Sequence, residues 1–126
     1  MLKLVNVQRA KAGVRPLVLC APLSAASGKY AKVMARTGHF DHTGPDGRQP
    51  SDRGEAEGYH YRAYGENIAA GQPTVRTVMT AWIHSPGHFA NIVSPTFTHL
   101  GVGHATSSGT RVSDYWVQNF GAGGRC

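Results

Sequence analysis

Apolar side chains recur at three- and four-residue spacing through Leu23, Ala26, Tyr30, Val33 and Met34, and this period predicts a helix that follows Pro22 and stops at Gly38. Val75, Val78, Met79 and Trp82 repeat the pattern behind Thr74, a good N-cap, so a second strong helix is expected there. A shorter N-terminal helix is read over Leu4 to Ala12, with Leu4, Val7 and the Lys11 stem on one face and Gly13 as its stop. Val14 to Leu19 then runs extended through Pro16. Ser51 is taken as the N-cap of a short helix ending at Gly58, and His88 to Val93 as one further helical turn after the break at Ser85-Pro86-Gly87. In the last third the period changes to two. Leu100, Val102 and His104 alternate with small residues, and Val112 to Phe120 reads as a strand, the pair joined as a hairpin through Ser107-Ser108-Gly109. Helices first and a hairpin last give an α+β chain.

The chain has 126 residues, enough for one core, so residues 1–126 are read as a single domain. Sixteen glycines and a charged fraction of 16% exclude a coiled coil, a collagen repeat and a charged disordered tail. The formal charge of +6 favours anionic surfaces without choosing among them. Its arginines are scattered singly from Arg9 to Arg125 with no interleaved aromatics, so no nucleic acid is expected as a partner. No apolar run is long enough to span a bilayer, and Met1-Leu2-Lys3-Leu4 opens amphipathically, without a signal-peptide core. Cys20 and Cys126 fit neither a zinc knuckle nor a CxxC redox pair. The reading is an end-to-end disulfide and an oxidising compartment; the alternative is a buried apolar Cys20 and a loose Cys126.

Three segments each offer one residue able to do chemistry: His42 in Phe40-Asp41-His42-Thr43, Glu66 in Gly65-Glu66-Asn67-Ile68, and His88 in Ser85-Pro86-Gly87-His88. All three are read as loops or helix ends. Two imidazoles and a carboxylate match an open zinc site, in which a fourth position is left for water or substrate. Helix capping or bonding to buried carbonyls would explain the same residues without chemistry. No nucleophile elbow, P-loop or dinucleotide fingerprint is present, and neither cysteine has a neighbouring histidine in sequence.

The ordered set Gln8-Arg9-Ala10, Phe40-Asp41-His42-Thr43, Gly65-Glu66-Asn67-Ile68-Ala69, Ala81-Trp82 with Ser85-Pro86-Gly87-His88, Gly101-Val102-Gly103 and Tyr115-Trp116-Val117-Gln118 resembles the bacterial SCP-like branch of the CAP superfamily, the cysteine-rich secretory, antigen five and pathogenesis-related proteins. The resemblance covers essentially the whole chain. It implies a three-layer α-β-α sandwich with a small antiparallel sheet, a secreted or cell-surface address whose leader this chain lacks, and a cleft that gathers histidines and acids around a divalent metal or water. It places His42, Glu66 and His88 in that cleft, with His42 and His88 as metal ligands and a divalent ion such as zinc as the cofactor. It also implies that the early segment and the last strand lie close, as a Cys20–Cys126 disulfide requires. Animal and plant members carry a second glutamate just after the tryptophan of the third helix. Here Trp82 is followed by Ile83-His84-Ser85, so the fourth cleft position is vacant or taken by His84 or Ser85.

Two functions follow. One is a secreted binding module for a lipid, wall or other extracellular ligand, with Tyr59, Tyr61, Tyr64 and Asn67 as ligand contacts. The alternative is a metal-dependent hydrolase of peptide or peptidoglycan, in which His42 and His88 hold the metal and Glu66 activates water. In either case Glu66, if close to both rings, should raise both histidine pKa values.

Overall fold

The computed structural model of the chain describes residues 1–108 and 112–126. The helix after Pro22 is α2 (Ala21–Thr37), ended by Gly38 at φ 76°, where a side chain would be strained. The helix behind Thr74 is α4 (Val75–Ile83), with the Thr74 hydroxyl accepting from the Thr77 amide. The remaining helices are α1 (Leu2–Lys11), α3 (Pro50–Ala56) and α5 (Pro86–Ile92). The strands are β1 (Val18–Leu19), β2 (Ala63–Ala70), β3 (His99–Thr106) and β4 (Asp114–Ala122).

They form a four-stranded sheet in the order β1-β3-β4-β2. The expected hairpin is present: β3 and β4 pair antiparallel, with Val102 opposite Gln118. The Gly109 assigned to its turn lies outside the described residues. β2 pairs antiparallel with β4 from Ala63–Ala122 to Ala70–Tyr115. The sheet is not wholly antiparallel, because β1 lies parallel to β3 over two residues. The long connection from β1 to β3, through four helices and β2, permits that direction where a hairpin would not.

Alternation along β4 sorts the two outer layers. Tyr115 and Val117 pack with Ile68 against Tyr30, Ala31, Met34 and Ala35 of α2. Trp116 and Phe120 face the opposite layer, where Val5 of α1, Val78, Met79 and Trp82 of α4 and Ile92 of α5 complete the core. The result is an α-β-α sandwich. On the α2 side β3 brings glycines against the helix: a Cβ on Gly101 would stand 2.1 Å from the Leu23 carbonyl carbon, and one on Gly103 would stand 2.3 Å from that of Ser27. Helix backbone therefore rests on strand backbone.

Three expectations need correction. In α1 the inner face is Val5 and Arg9, while Leu4 and Val7 are exposed. Arg9 is buried because its guanidinium donates to the carbonyls of Arg15, Ile92, Ser94 and Phe97, tying α1 to the segment before β3. The N-cap of α3 is Gln49, not Ser51; the Gln49 amide donates to Asp52 Oδ2 at 2.8 Å, and Ser51 lies within the first turn. The Gly-Glu-Asn segment is not a loop but the middle of strand β2, which is decided by its ladder to β4.

Candidate functional site

β2 is an edge strand, and its outward carbonyls are covered by side chains. Trp82 Nε1 donates to the Ile68 carbonyl at 3.1 Å, and Asn91 Nδ2 to the Glu66 carbonyl at 3.3 Å. Alternation along this strand points Glu66, like Ile68, towards the α2 layer. Its side chain is 1% exposed, and both carboxylate oxygens are occupied. Oε1 meets His42 Nδ1 at 2.9 Å, and Oε2 accepts from Arg53 Nη2 at 2.9 Å. A carboxylate this deep requires a countercharge. Arg53 of α3 supplies it while donating also to the carbonyls of His42 and Arg48, with its guanidinium stacked 3.5 Å over the Tyr30 ring. The same arginine thus holds the carboxylate and the loop that carries His42. The Tyr30 hydroxyl fixes that loop again by donating to the Asp41 carbonyl.

His88 is placed from the other layer. Its Nδ1 lies 2.9 Å from Ser85 Oγ, and its carbonyl accepts from Asn67 Nδ2 at 3.1 Å. Asn67, fully buried, also donates to Gln118 Oε1 and accepts from Asn91 Nδ2, so it locks α5 onto β2. Of the two candidates for the fourth position, Ser85 orients His88. His84 turns away, with its Nδ1 on the Thr80 carbonyl of its own helix. Among the described residues neither His42 nor His88 has a hydrogen-bond partner at Nε2. Because a carboxylate only accepts, neutral His42 carries its proton on Nδ1 and keeps a lone pair on Nε2. A buried carboxylate that fixes a tautomer in this way is how imidazole is prepared as a metal ligand.

The two rings differ in charge behaviour. The hydrogen bond that His42 donates to Glu66 raises the His42 pKa above the ordinary imidazole value, against desolvation and the Arg53 charge. Burial lowers the His88 pKa, and the nearby His42 charge lowers it further. The expectation that Glu66 raises both fails for His88, where burial and the His42 charge set the direction, while Glu66 is bonded to the His42 ring. Ring-proton NMR should therefore show His88 titrating below pH ~6.5 and His42 above it. Protonated His42 stabilises the fold fully below pH ~6.5, and that contribution is lost as pH rises through its raised value. Neutral His88 carries no penalty above pH ~6.5; the penalty develops as pH falls through its lowered value. Glu66→Gln should bring His42 back down towards its ordinary value.

The expected ligand contacts divide. Tyr59 is fully buried beside Cys20 and Leu23, with its hydroxyl 2.8 Å from His99 Nδ1, and Asn67 is spent inside the network above. Neither presents surface to a ligand. Tyr61 and Tyr64 do line, with Arg62, His42 and Glu66, a cavity of about 440 Å³. The Tyr64 hydroxyl within this group is buried without a partner among the described residues. His88 opens instead on a smaller, more apolar cavity of about 280 Å³ bounded by Phe40, Trp82 and Ser85.

Cys20 and Cys126 are joined by a disulfide, with Cα atoms 4.8 Å apart. Among the described residues the only three metal-donor side chains with ligand atoms mutually within 4.8 Å are these two cysteines and His99. With both sulfurs bonded to each other, that group is closed to a metal. His42 and His88 offer two imidazole donors, and Glu66 stands behind His42 as its orienting group. Sequence reading missed Arg53, since a solitary arginine in a seven-residue helix carries no signal of its target.

A model of the cysteine-rich secretory protein family, CAP, matches residues 2–120. The chain is 38% identical over 120 residues to the uncharacterised protein YkwD of Bacillus subtilis (strain 168), covering 95% of this chain and 45% of that protein. It is 28% identical over 120 residues to the uncharacterised membrane protein YlbC of the same organism, covering 95% of this chain and 33% of that protein. The chain thus spans less than half the length of the curated relatives it matches. Among solved structures, an extracellular SCP-domain protein of Bacillus anthracis str. Ames superposes with a TM-score of 0.84 at 26% identity, over 95% of this chain and 38% of that one. An outer surface protein of Borrelia burgdorferi shares the fold with a TM-score of 0.83 at 21% identity, over 94% of this chain and 86% of that one. No helix among the described residues is long and apolar enough to cross a membrane. By its family model, its bacterial relatives and its α-β-α sandwich, this chain belongs to the cysteine-rich secretory protein family, in its bacterial SCP-like branch.

Proposed function

We propose that this domain is a secreted or cell-surface binding module that holds an extracellular or cell-wall ligand beside His42 and His88. The observation that carries this reading is the state of Glu66. A general base must reach the water whose proton it takes. Both oxygens of Glu66 are engaged, by His42 and Arg53, in a side chain almost out of contact with water. Those bonds and that burial support a positioning role for Glu66 and count against its activating a water, as the hydrolase reading requires. His42 Nε2 and His88 Nε2 would hold a divalent cation such as zinc, which when bound supplies a Lewis-acidic attachment point for a ligand oxygen. Tyr61, Tyr64 and Arg62 give the His42 cavity two aromatic faces and a cation for the rest of that ligand. The Cys20–Cys126 disulfide supports an oxidising compartment, and the extracellular and outer-surface descriptions of the structural relatives support the same address.

Purified peptidoglycan separates the two functions. The wild-type domain should sediment with it and release no soluble fragments. Fragment release by wild type that Glu66→Gln abolishes, with the variant still folded, would overturn the binding reading in favour of hydrolysis.

A further inference from the structure

A third cavity, of about 550 Å³, lies between α2, the loop before α3 and α3 itself. Arg53 lines it, whereas Glu66 and His42 line the other cavity. Its walls have two characters. Tyr30, Val33, Pro45 and Ala56 supply apolar surface, and four cationic side chains, Lys29, Arg36, Arg48 and Arg53, face two acids, Asp46 and Glu57. Lys29 is bonded to Glu57 at 2.7 Å, Arg48 lies 3.8 Å from Asp46, and Arg53 is paired with Glu66 outside the cavity. Arg36, exposed on the last turn of α2, has no ion-pair partner among the described residues. Arg53 also lines the wall, with its Nε buried and without a hydrogen-bond partner among them.

We propose that this cavity binds a compact organic anion, a carboxylate or phosphate on a carbohydrate-sized body. The positive excess at Arg36 would meet the charge, and Val33, Pro45 and Ala56 would take the body. The volume falls within the ordinary range of small-molecule sites, and the side chains of Val33, Pro45 and Ala56 suit the apolar face of a sugar or polyol, while Tyr30, 2% exposed and covered by the Arg53 guanidinium, is part of the wall and not a stacking face. Long charged side chains with aliphatic stems serve both parts. The site is distinct from the histidine cleft, since it uses neither His42 nor His88, although Arg53 stands between the two.

Calorimetric titration of the whole chain tests the proposal with three probes. N-acetylmuramic acid carries the carboxylate, glycerol 3-phosphate carries the phosphate, and N-acetylglucosamine is the uncharged control. At least one anion should bind, at least tenfold more tightly than the control and more weakly as salt is raised; which of the two it is identifies the source of the charge. Arg36→Gln should lower that affinity about tenfold, and Arg36→Lys should restore most of it. Arg36 is exposed, so an unchanged melting curve will confirm that both variants fold. Equal binding of the uncharged control, no binding of either anion, or indifference of a bound anion to Arg36→Gln would overturn the proposal.

Discussion

Gly103→Ala should lower stability by about 3 kcal/mol or more, at the upper end of overpacking effects. The added methyl would stand 2.3 Å from both the carbonyl carbon and the oxygen of Ser27, and 2.5 Å from the Gly28 nitrogen. These are backbone atoms, so no side chain can swing aside. The helix cannot easily retreat either: Asn119 Nδ2 holds Ser27 Oγ at 2.7 Å, and Cys20 ties the start of α2 to the disulfide. With a urea slope of about 1.5 kcal/mol per molar, the denaturation midpoint should fall by about 2 M. Gly28→Ala is the control in the same helix. Nothing lies within 4 Å of its added methyl, so it should stabilise by about 0.4–1 kcal/mol through the unfolded state. A shift of under about 0.5 M for Gly103→Ala would show that α2 slides over the sheet.

Breaking the disulfide should cost more. In the chain-entropy model, opening a loop of 106 residues removes about 4–5 kcal/mol, which for a chain of this size lowers the melting temperature by about 15 °C. Cys20 is fully buried at the N-cap of α2 beside Leu23 and Tyr59, so the bond fastens the last residue to the start of the helix on which β3 rests. Reduction with a dithiol and the Cys20→Ser/Cys126→Ser double variant should agree in direction. Two titratable thiols in the denatured, unreduced protein would contradict this.

How far the sequence reveals this architecture depends on which force decides each element. α2 and α4 are legible because tertiary burial and local preference agree: their apolar residues keep helical spacing, and Gly38 and Thr74 stand where the helices end and begin. β2 is not. Its sequence, Ala-Tyr-Gly-Glu-Asn-Ile-Ala-Ala, is poor in strand formers, and only the eight-residue ladder to β4 makes it a strand. The inner face of α1 is hidden for a different reason. Arg9 is charged, and only four distant or loop carbonyls converging on its guanidinium allow it to replace Leu4 and Val7 inside. At the site, His42, Glu66 and His88 are visible as residues, through the motifs that surround them. Their division of labour is not, because it depends on Arg53 claiming the second oxygen of Glu66 and Ser85 claiming His88 Nδ1. The same burial separates Tyr59 from Tyr61, near neighbours in sequence with opposite fates.

In the proposed reading His42 and His88 are the binding groups while Glu66 orients His42. Nitrogen-detected NMR of the histidine rings during a zinc titration at about pH 7.5 puts this reading at risk. Nε2 of both rings should shift as zinc is added, with Nδ1 of His42 remaining protonated towards Glu66. His88→Ala should abolish the response at His42, and Glu66→Gln should weaken it by about tenfold or more without abolishing it. Two rings that ignore zinc in the folded wild-type domain would contradict it.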